Sequence, residues 1–240
     1  MLHPAPERGP TTRGERWTFA IFLVAILALF TADIVVNYSP AKLGGLFVLL
    51  FWIPLLATHE AGHALAAKLL GWHVGRITLG FGRSWKRLHL GAARLDIRSF
   101  PITGFVKCVP THLRQPRLRN ALVYFAGPGT DLLVAALVIV VVGPERLLTP
   151  SENYGLIALQ GLALAGLAQG VMNLIPFSSG SGGMESPSDG LGIILSLTLP
   201  DRHFARQIEA FRELGDEYFE DRQSAPEPEP DEWWKRDRRL

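Results

Sequence analysis

The chain has 240 residues, of which 48% are hydrophobic and 19% charged, and its formal net charge is +2. So small a charge, split between separate segments, gives no support to nucleic-acid binding, and we expect no nucleic-acid partner. The single cysteine, Cys108, excludes an intramolecular disulfide and a cysteine-based metal site. Long runs without charged residues predict a mainly α, polytopic membrane protein, embedded in the lipid bilayer of the cell membrane.

Residues 1–16 are polar and rich in Pro and Arg, and we predict a disordered cytoplasmic N-terminus there. An apolar run at residues 17–36 has about the twenty residues needed to cross a bilayer. A cleaved signal peptide is the alternative interpretation. The run is longer than a usual signal core, however, and no clear A-x-A cleavage site follows it, so a retained first span is predicted.

The second predicted span, at residues 43–70, contains an H-E-x-x-H motif. On a helix, positions i and i+4 share one face, so His59 and His63 can present two imidazoles to one metal ion. Glu60 lies one step round the helix, where it can take a proton from a water molecule without being a ligand. The alternative is a pair of core histidines beside a paired glutamate. Ionisable groups are costly inside a membrane, which favours a functional role.

Residues 72–119 carry ten Lys or Arg side chains against one acid, Asp96. A short loop with this bias is predicted to be cytoplasmic, which places the metal motif towards the cytoplasmic half of the membrane. Within the loop, residues 83–107 alternate like β-structure, with Gly91 and Gly104 as turn candidates. This small membrane-associated β element is either a hairpin that covers the site or an edge strand that receives an extended substrate.

The third and fourth spans are predicted at residues 120–142 and 154–176, which makes about four transmembrane helices. Gly and Ala are frequent in the fourth span, which predicts close contact with its neighbours. Gln160 and Gln169 are interpreted as interhelical hydrogen-bond partners rather than catalytic residues.

The rest of the chain divides into four parts. A Ser/Gly-rich insertion occupies residues 177–188, and the apolar run at 191–199 is too short to span a membrane. Residues 200–222 have a helical apolar stripe, which predicts an amphipathic cytoplasmic helix, either packed on the protein or lying on the membrane surface. Residues 223–240 are predicted to be a disordered cytoplasmic tail.

A catalytic zinc site typically has three protein ligands and one open position, so His59 and His63 need a third partner. His73 lies just beyond the motif helix and is disfavoured. Two carboxylates remain candidates, Asp131 within the third span and Asp189 beyond the fourth. Spacing alone does not choose between these two carboxylates.

The chain resembles the site-2 protease family of intramembrane zinc metalloproteases over most of residues 45–199. The resemblance rests on the combination of several motifs rather than on any one of them. One position departs from the family, since Asp131 stands where the family usually has Asn. The matching motifs are H-E-A-G-H at 59–63, Pro101–Lys107 of the β element, A-G-P at 126–128, Asn173-x-x-Pro176 and Asp189-Gly190.

This resemblance implies a membrane-embedded metalloprotease core at residues 17–199 that cleaves a peptide bond in or near the transmembrane segment of a membrane-anchored protein. It implies one Zn²⁺ ion held by His59, His63 and Asp189. Glu60 would be the catalytic acid–base, and Asn173 would bind substrate beside the scissile segment. Asp131 would then be a helix-packing or hydrogen-bonding residue.

Two further departures are visible. Twelve residues separate Pro176 from Asp189, where the family usually has about four, although a flexible insertion can close at modest entropic cost. The loops lack room for a PDZ domain and the tail is too short for a CBS pair, so a minimal member is expected. A non-proteolytic membrane protein with a structural or sensory zinc site is the alternative function. A metal transporter is disfavoured because few polar residues line the spans.

Overall fold

The computed structural model describes residues 21, 24, 25, 28, 29, 31–181 and 184–219, with the backbone alone at 179–181 and 184–186. This part of the chain is mostly helical, and three helices are long and apolar enough to cross a membrane: Pro40–Leu69, Pro116–Val142 and Tyr154–Leu174. The predicted mainly α, polytopic fold is confirmed to that extent. The predicted segments 1–16 and 223–240, and nine of the twenty residues of the predicted span at 17–36, lie outside the described residues, so a fourth span stays a prediction.

The motif lies on helix α1 (Leu43–Leu69), which has 27 residues. Its length of about 40 Å exceeds the roughly 30 Å of bilayer hydrocarbon, so the helix can cross at a tilt. A 3₁₀ turn at Pro40–Lys42 precedes it. The helix ends where Gly71 adopts a φ of +76°, the left-handed conformation that closes many helices. The predicted end of this span at residue 70 therefore agrees with the structure.

Five further helices follow: α2 (Pro116–Val142), α3 (Pro144–Leu148), α4 (Tyr154–Leu174), α5 (Asp189–Thr198) and α6 (Asp201–Leu214). Helices α1, α2 and α4 pack against one another, and α5 packs mainly on α2. Large apolar side chains on the outward faces of the three long helices are exposed, among them Leu49, Leu137 and Leu164. Exposed apolar surface of this extent fits a lipid environment.

Glycines allow these helices to approach closely. A Cβ atom added to Gly62 of α1 would lie 2.7 Å from the Ala126 carbonyl oxygen of α2. One added to Gly166 of α4 would lie 2.9 Å from the Asp131 carbonyl oxygen. No side chain fits at such distances, so small residues are required where the backbones meet. The predicted close contact of the fourth span is seen in the structure.

Two long strands, β1 (Trp72–Leu90) and β2 (Ala93–Pro110), form the β element between α1 and α2. They pair antiparallel along 72–79 with 104–110 and along 84–90 with 93–98. Residues 76–79 of β1 also have second partners at 94–97 of β2, in a parallel register. The element is therefore more than a simple hairpin, because the strands fold back so that the centre of β1 is paired on both edges.

Only one of the two predicted turns is correct. Gly91, with a φ of +65°, lies at the turn between the strands. Gly104 lies inside β2 and is paired with Leu79 of β1, so the prediction of a turn there is wrong. The glycine is explained instead by a close approach to α1, because an added Cβ would lie 2.5 Å from the Glu60 side chain.

The single acid of the β element is buried at its centre. Asp96 is 1% exposed and accepts hydrogen bonds from Arg76 at 2.7 Å and from Ser84 at 2.5 Å. Burial acts to raise the pKa of Asp96, but the hydrogen bonds from Ser84 and Arg76 outweigh it and hold that pKa below its usual value. The ionised carboxylate therefore ties together different parts of β1.

Helix α6 docks on the start of the β element. Phe204 is 1% exposed and its ring packs edge-on against Trp72, with ring centroids 6.4 Å apart. Phe211, one further residue of the predicted apolar stripe, stacks on His73 at 4.8 Å. The stripe thus faces the protein, and the helix is followed by a 3₁₀ segment at Gly215–Phe219. Residues 220–222 of the predicted helix lie outside the described residues.

Candidate metal centre

Three titratable side chains converge where α1, α2 and α5 meet. His59 and His63 are 5% and 7% exposed, and their Nε2 atoms lie 3.1 Å apart. Asp189 Oδ2 lies 3.1 Å from His59 Nε2, and Asp189 Oδ1 lies 3.3 Å from His63 Nε2. Within the described part of the chain, these three side chains form a cluster that could hold a metal ion.

Hydrogen bonds on the far side of each imidazole define its tautomer. His63 Nδ1 lies 2.6 Å from the Val123 carbonyl oxygen, which can only accept, so Nδ1 donates. His59 Nδ1 lies 2.6 Å from Asp131 Oδ2, to which it donates in the same way. In the neutral imidazoles both Nε2 atoms are then unprotonated and direct lone pairs towards Asp189. Two lone pairs and a carboxylate at about 3 Å repel one another unless a cation lies between them.

Asp189 is held in place despite the long insertion before it. The insertion folds as a hairpin of β3 (Ser178–Ser181) and β4 (Met184–Pro187), so its two ends return to the same point. Ser188 joins these ends, because its Oγ donates to the Ile175 carbonyl oxygen at 2.7 Å and accepts from the Phe177 N–H at 3.0 Å. The same hydroxyl caps α5, whose first residue is Asp189. The twelve-residue separation is thereby compatible with a fixed carboxylate.

A glycine of α2 gives the imidazoles their space. A Cβ atom added to Gly127 would lie 2.2 Å from His63 Nε2 and 2.6 Å from His59 Nε2. Both rings therefore lie directly on the α2 backbone. Gly190 has a similar role beside Asp189, because an added Cβ there would overlap the Leu174 carbonyl group at the end of α4.

Glu60 lies beside this cluster without belonging to it. Its side chain is 3% exposed, and Oε2 has no hydrogen-bond partner among the described residues. Strand β2 passes directly over the carboxylate at Gly104. A buried carboxylate oxygen that lacks a partner is costly in a purely structural role, and it is suited to a water molecule or a substrate proton.

The other sequence candidates lie elsewhere. His73 lies between Phe211 and Phe219, at 4.8 and 5.6 Å between ring centroids, and takes no part in the cluster. Asp131 contacts His59 at the ring nitrogen that faces away from Asp189. Asn173 lies in the last turn of α4, half-buried, so its assignment as a substrate-binding residue stays a prediction.

The two glutamines differ in their contacts. Gln169 of α4 donates to the Trp52 carbonyl oxygen of α1 at 3.2 Å, which is the predicted interhelical bond. Gln160 instead donates to the carbonyl oxygens of Arg146 and Thr149 in the connection between α2 and α4. Arg146 belongs to the short helix α3, so this contact is also interhelical, although its partner is not one of the three long helices.

The sequence-based reasoning missed several residues that shape the site. The sequence marks Gly127 only as part of the A-G-P motif in an apolar span, where Gly permits close helix contact, and Gly104 only as a turn candidate. Ser188 carried no recognised signal, although a serine directly before Asp-Gly is a typical helix N-cap. The A-G-P motif did contain the signal for Gly127, since a glycine inside a membrane helix often marks a close approach.

The fold and the cluster define a class, a multi-pass membrane protein with an H-E-x-x-H helix whose histidines could hold a metal ion. Comparison with known proteins gives a family match. Residues 46–148, fewer than half of the chain, match the model of peptidase family M50. The resemblance to the site-2 protease family is confirmed over these residues.

Curated relatives carry matching names. Over 52 residues, 22% of this chain and 12% of the relative, the chain is 38% identical to "Membrane metalloprotease ARASP, chloroplastic" of Arabidopsis thaliana. Over 98 residues, 35% of this chain and 27% of the relative, it is 34% identical to a "Putative zinc metalloprotease" of Nostoc. Over 120 residues, 44% of this chain and 32% of the relative, it is 28% identical to a protein of the same description from Campylobacter jejuni. The chain spans less than a third of the length of these relatives.

Proposed function

We propose that this protein is an intramembrane zinc metalloprotease that hydrolyses a peptide bond in or near the transmembrane segment of a membrane-anchored protein. The observation that carries the proposal is the convergence of His59 Nε2, His63 Nε2 and the Asp189 carboxylate inside a bundle of apolar helices. The family and the names of its relatives support the same chemistry.

The donor set fits zinc. Ligand atoms about 2.1 Å from a tetrahedral zinc ion lie about 3.4 Å from one another. The three contacts between the proposed ligands measure 3.1, 3.1 and 3.3 Å. Two histidines and one carboxylate are a common ligand set for catalytic zinc, with the fourth position left open. We therefore assign His59, His63 and Asp189 as the ligands of one Zn²⁺ ion.

A zinc ion held by His59, His63 and Asp189 would supply Lewis-acid chemistry, activating a water molecule and polarising the substrate carbonyl group. Glu60 supplies the proton transfers. Its buried Oε2 accepts the proton of the attacking water and then passes it to the departing amine. The surrounding apolar helices exclude bulk water, which strengthens the electrostatic interactions of the carboxylate.

The substrate is proposed to bind as an extended strand. A transmembrane helix shields its peptide bonds, so it must unwind locally before attack. Strand β2 passes the Glu60 carboxylate at Gly104. At this point an unwound substrate segment is proposed to add to the edge of β2 as a further strand. Asn173, in the last turn of α4, is proposed to hydrogen-bond the backbone of the same segment.

We further propose that the core at residues 17–199 has four spans in the cell membrane, with the β element and both termini cytoplasmic. The support is the excess of basic residues at 72–119, read by the positive-inside rule. The docking of α6 on Trp72 supports placing the β element and α6 on the same side.

The proposal is tested with purified full-length protein and a panel of single-span model substrates. Cleavage is expected with one zinc ion per chain, to be lost on treatment with a chelator and restored by added zinc. The Asp189→Ala variant is expected to bind less zinc. Unchanged zinc content in this variant would contradict the ligand assignment, and cleavage that persists after full zinc removal would contradict the mechanism.

The alternative is a non-proteolytic membrane protein with a structural or sensory zinc site. A site of that kind has four protein ligands and no exchangeable water. In the described part of the chain, the cluster contains three candidate ligands rather than four, which favours the protease. Zinc retained without cleavage of any substrate on the panel would favour the alternative.

A further inference from the structure

Asp131 of α2 is the most completely buried carboxylate at the site. It is 0% exposed, and its Oδ2 lies 2.6 Å from His59 Nδ1. Its other oxygen, Oδ1, has no hydrogen-bond partner among the described residues. A carboxylate in this position is costly unless it interacts with a positive charge. Helix packing alone does not explain it, because an apolar residue of the same size would serve as well.

The two histidines differ in what supports them. His63 donates from Nδ1 to a neutral backbone carbonyl, that of Val123, whereas His59 donates to the full charge of Asp131. A carboxylate behind a ligating imidazole fixes its tautomer and orientation and raises its basicity. His59 is thus the better electron donor of the two.

Asp131 is poorly placed to be a ligand of the same ion. Nδ1 and Nε2 lie on different sides of the imidazole, and Asp131 binds the first while Asp189 and His63 surround the second. A cation between the two Nε2 atoms and Asp189 would therefore lie on the opposite side of the His59 ring from Asp131.

We propose that Asp131 is the positioning residue for His59, forming a carboxylate–histidine–metal relay that raises the metal affinity of the site. This inference rests on the proposed function. An amide oxygen can accept the same hydrogen bond but carries no charge. The relay therefore has two separable parts, an acceptor that orients the ring and a charge that strengthens the ligand.

Two substitutions that keep the branching of the side chain at Cγ separate these parts. Asp131→Asn keeps an acceptor for His59 Nδ1 and removes the charge, and Asp131→Leu removes both. Thr130→Val is the matched control, because the neighbouring Thr130 hydroxyl donates to the Ala126 carbonyl oxygen and contacts neither histidine through a hydrogen bond. Full-length protein in detergent or nanodiscs is titrated with zinc against a chromogenic chelator, and thermal unfolding of the metal-free form is measured for each variant.

The zinc dissociation constant is expected to rise in the order wild type, Asn, Leu, with the Leu variant about 10–100-fold weaker than wild type and the control unchanged. The unfolding temperatures of the metal-free variants are expected to show no such order. If Asp131 had a purely structural role, its substitution would change these temperatures rather than the zinc affinity. Equal zinc affinity in wild type and the Leu variant would overturn the relay. Failure of the wild type to bind zinc would instead contradict the proposed function, so the two outcomes are distinguishable.

Discussion

The substitution Gly127→Ala tests how closely the metal-binding histidines depend on the α2 backbone. The new methyl group would lie 2.2 Å from His63 Nε2, whereas non-bonded atoms prefer about 3.5 Å. The ring would have to retreat by about 1 Å, and it is anchored by the 2.6 Å hydrogen bond from Nδ1 to Val123. Metal–ligand distances tolerate only about 0.2 Å, so we expect zinc affinity and cleavage to fall by about 100-fold or more.

Gly129→Ala is the matched control for this prediction. It lies two residues further along α2, and the three atoms nearest to its added Cβ all belong to the Phe125 ring of the same helix, the first at 3.2 Å. Both substitutions bring the same gain in helix propensity, about 0.5–1 kcal/mol, so a difference between them reports on the histidines. Zinc affinity by chelator competition and cleavage of a single-span substrate are the two assays. Wild-type zinc affinity in Gly127→Ala would refute the geometry described for the cluster.

Three further predictions concern the elements around the site. Gly104→Ala should displace the flexible Glu60 side chain, which lies 2.5 Å from the added Cβ. We expect kcat to fall about 10–100-fold while the bound zinc is retained. Loss of zinc from this variant would contradict the prediction. Because the pKa of Asp96 is lowered in the folded protein, its stabilising effect is present above about pH 4 and is lost as the pH falls below that value. Hydrogen exchange of residues 72–110 should show this loss in wild type and not in Asp96→Asn, and identical profiles would contradict it. Phe204→Ala should destabilise the docking of α6 by about 3–5 kcal/mol, because it removes a buried aromatic ring. Proteolysis after Thr198 should become faster, and an unchanged rate would contradict the packing of Phe204 against Trp72.

Much of the fold could be predicted because a bilayer imposes strong constraints on length and polarity. The long helices at Leu43–Leu69 and Tyr154–Leu174 lie within two residues of the predicted spans. Helix α2 begins at Pro116, four residues before the predicted start, because its first turn is polar and lies beyond the apolar run. The β alternation was recognised but its extent was underestimated, since the strands begin at Trp72 directly after α1.

The site was predictable only as far as local spacing reaches. His59, Glu60 and His63 share one helix, so their relation follows from helical geometry alone. The approach of Asp189 depends on how the insertion closes, and the contact of Asp131 with His59 depends on how α1 and α2 pack. Spacing cannot specify such long-range contacts, which is why the choice between Asp131 and Asp189 stayed open without the resemblance.

The most direct test of the central claim compares wild type with Glu60→Gln in the same preparation. Zinc content by mass spectrometry and cleavage of a model single-span substrate are measured side by side. The account predicts one zinc ion per chain in both proteins and cleavage by the wild type alone, because Gln keeps the shape of Glu60 but cannot accept the proton. Equal cleavage by the two proteins, or the absence of zinc from the wild type, would contradict it.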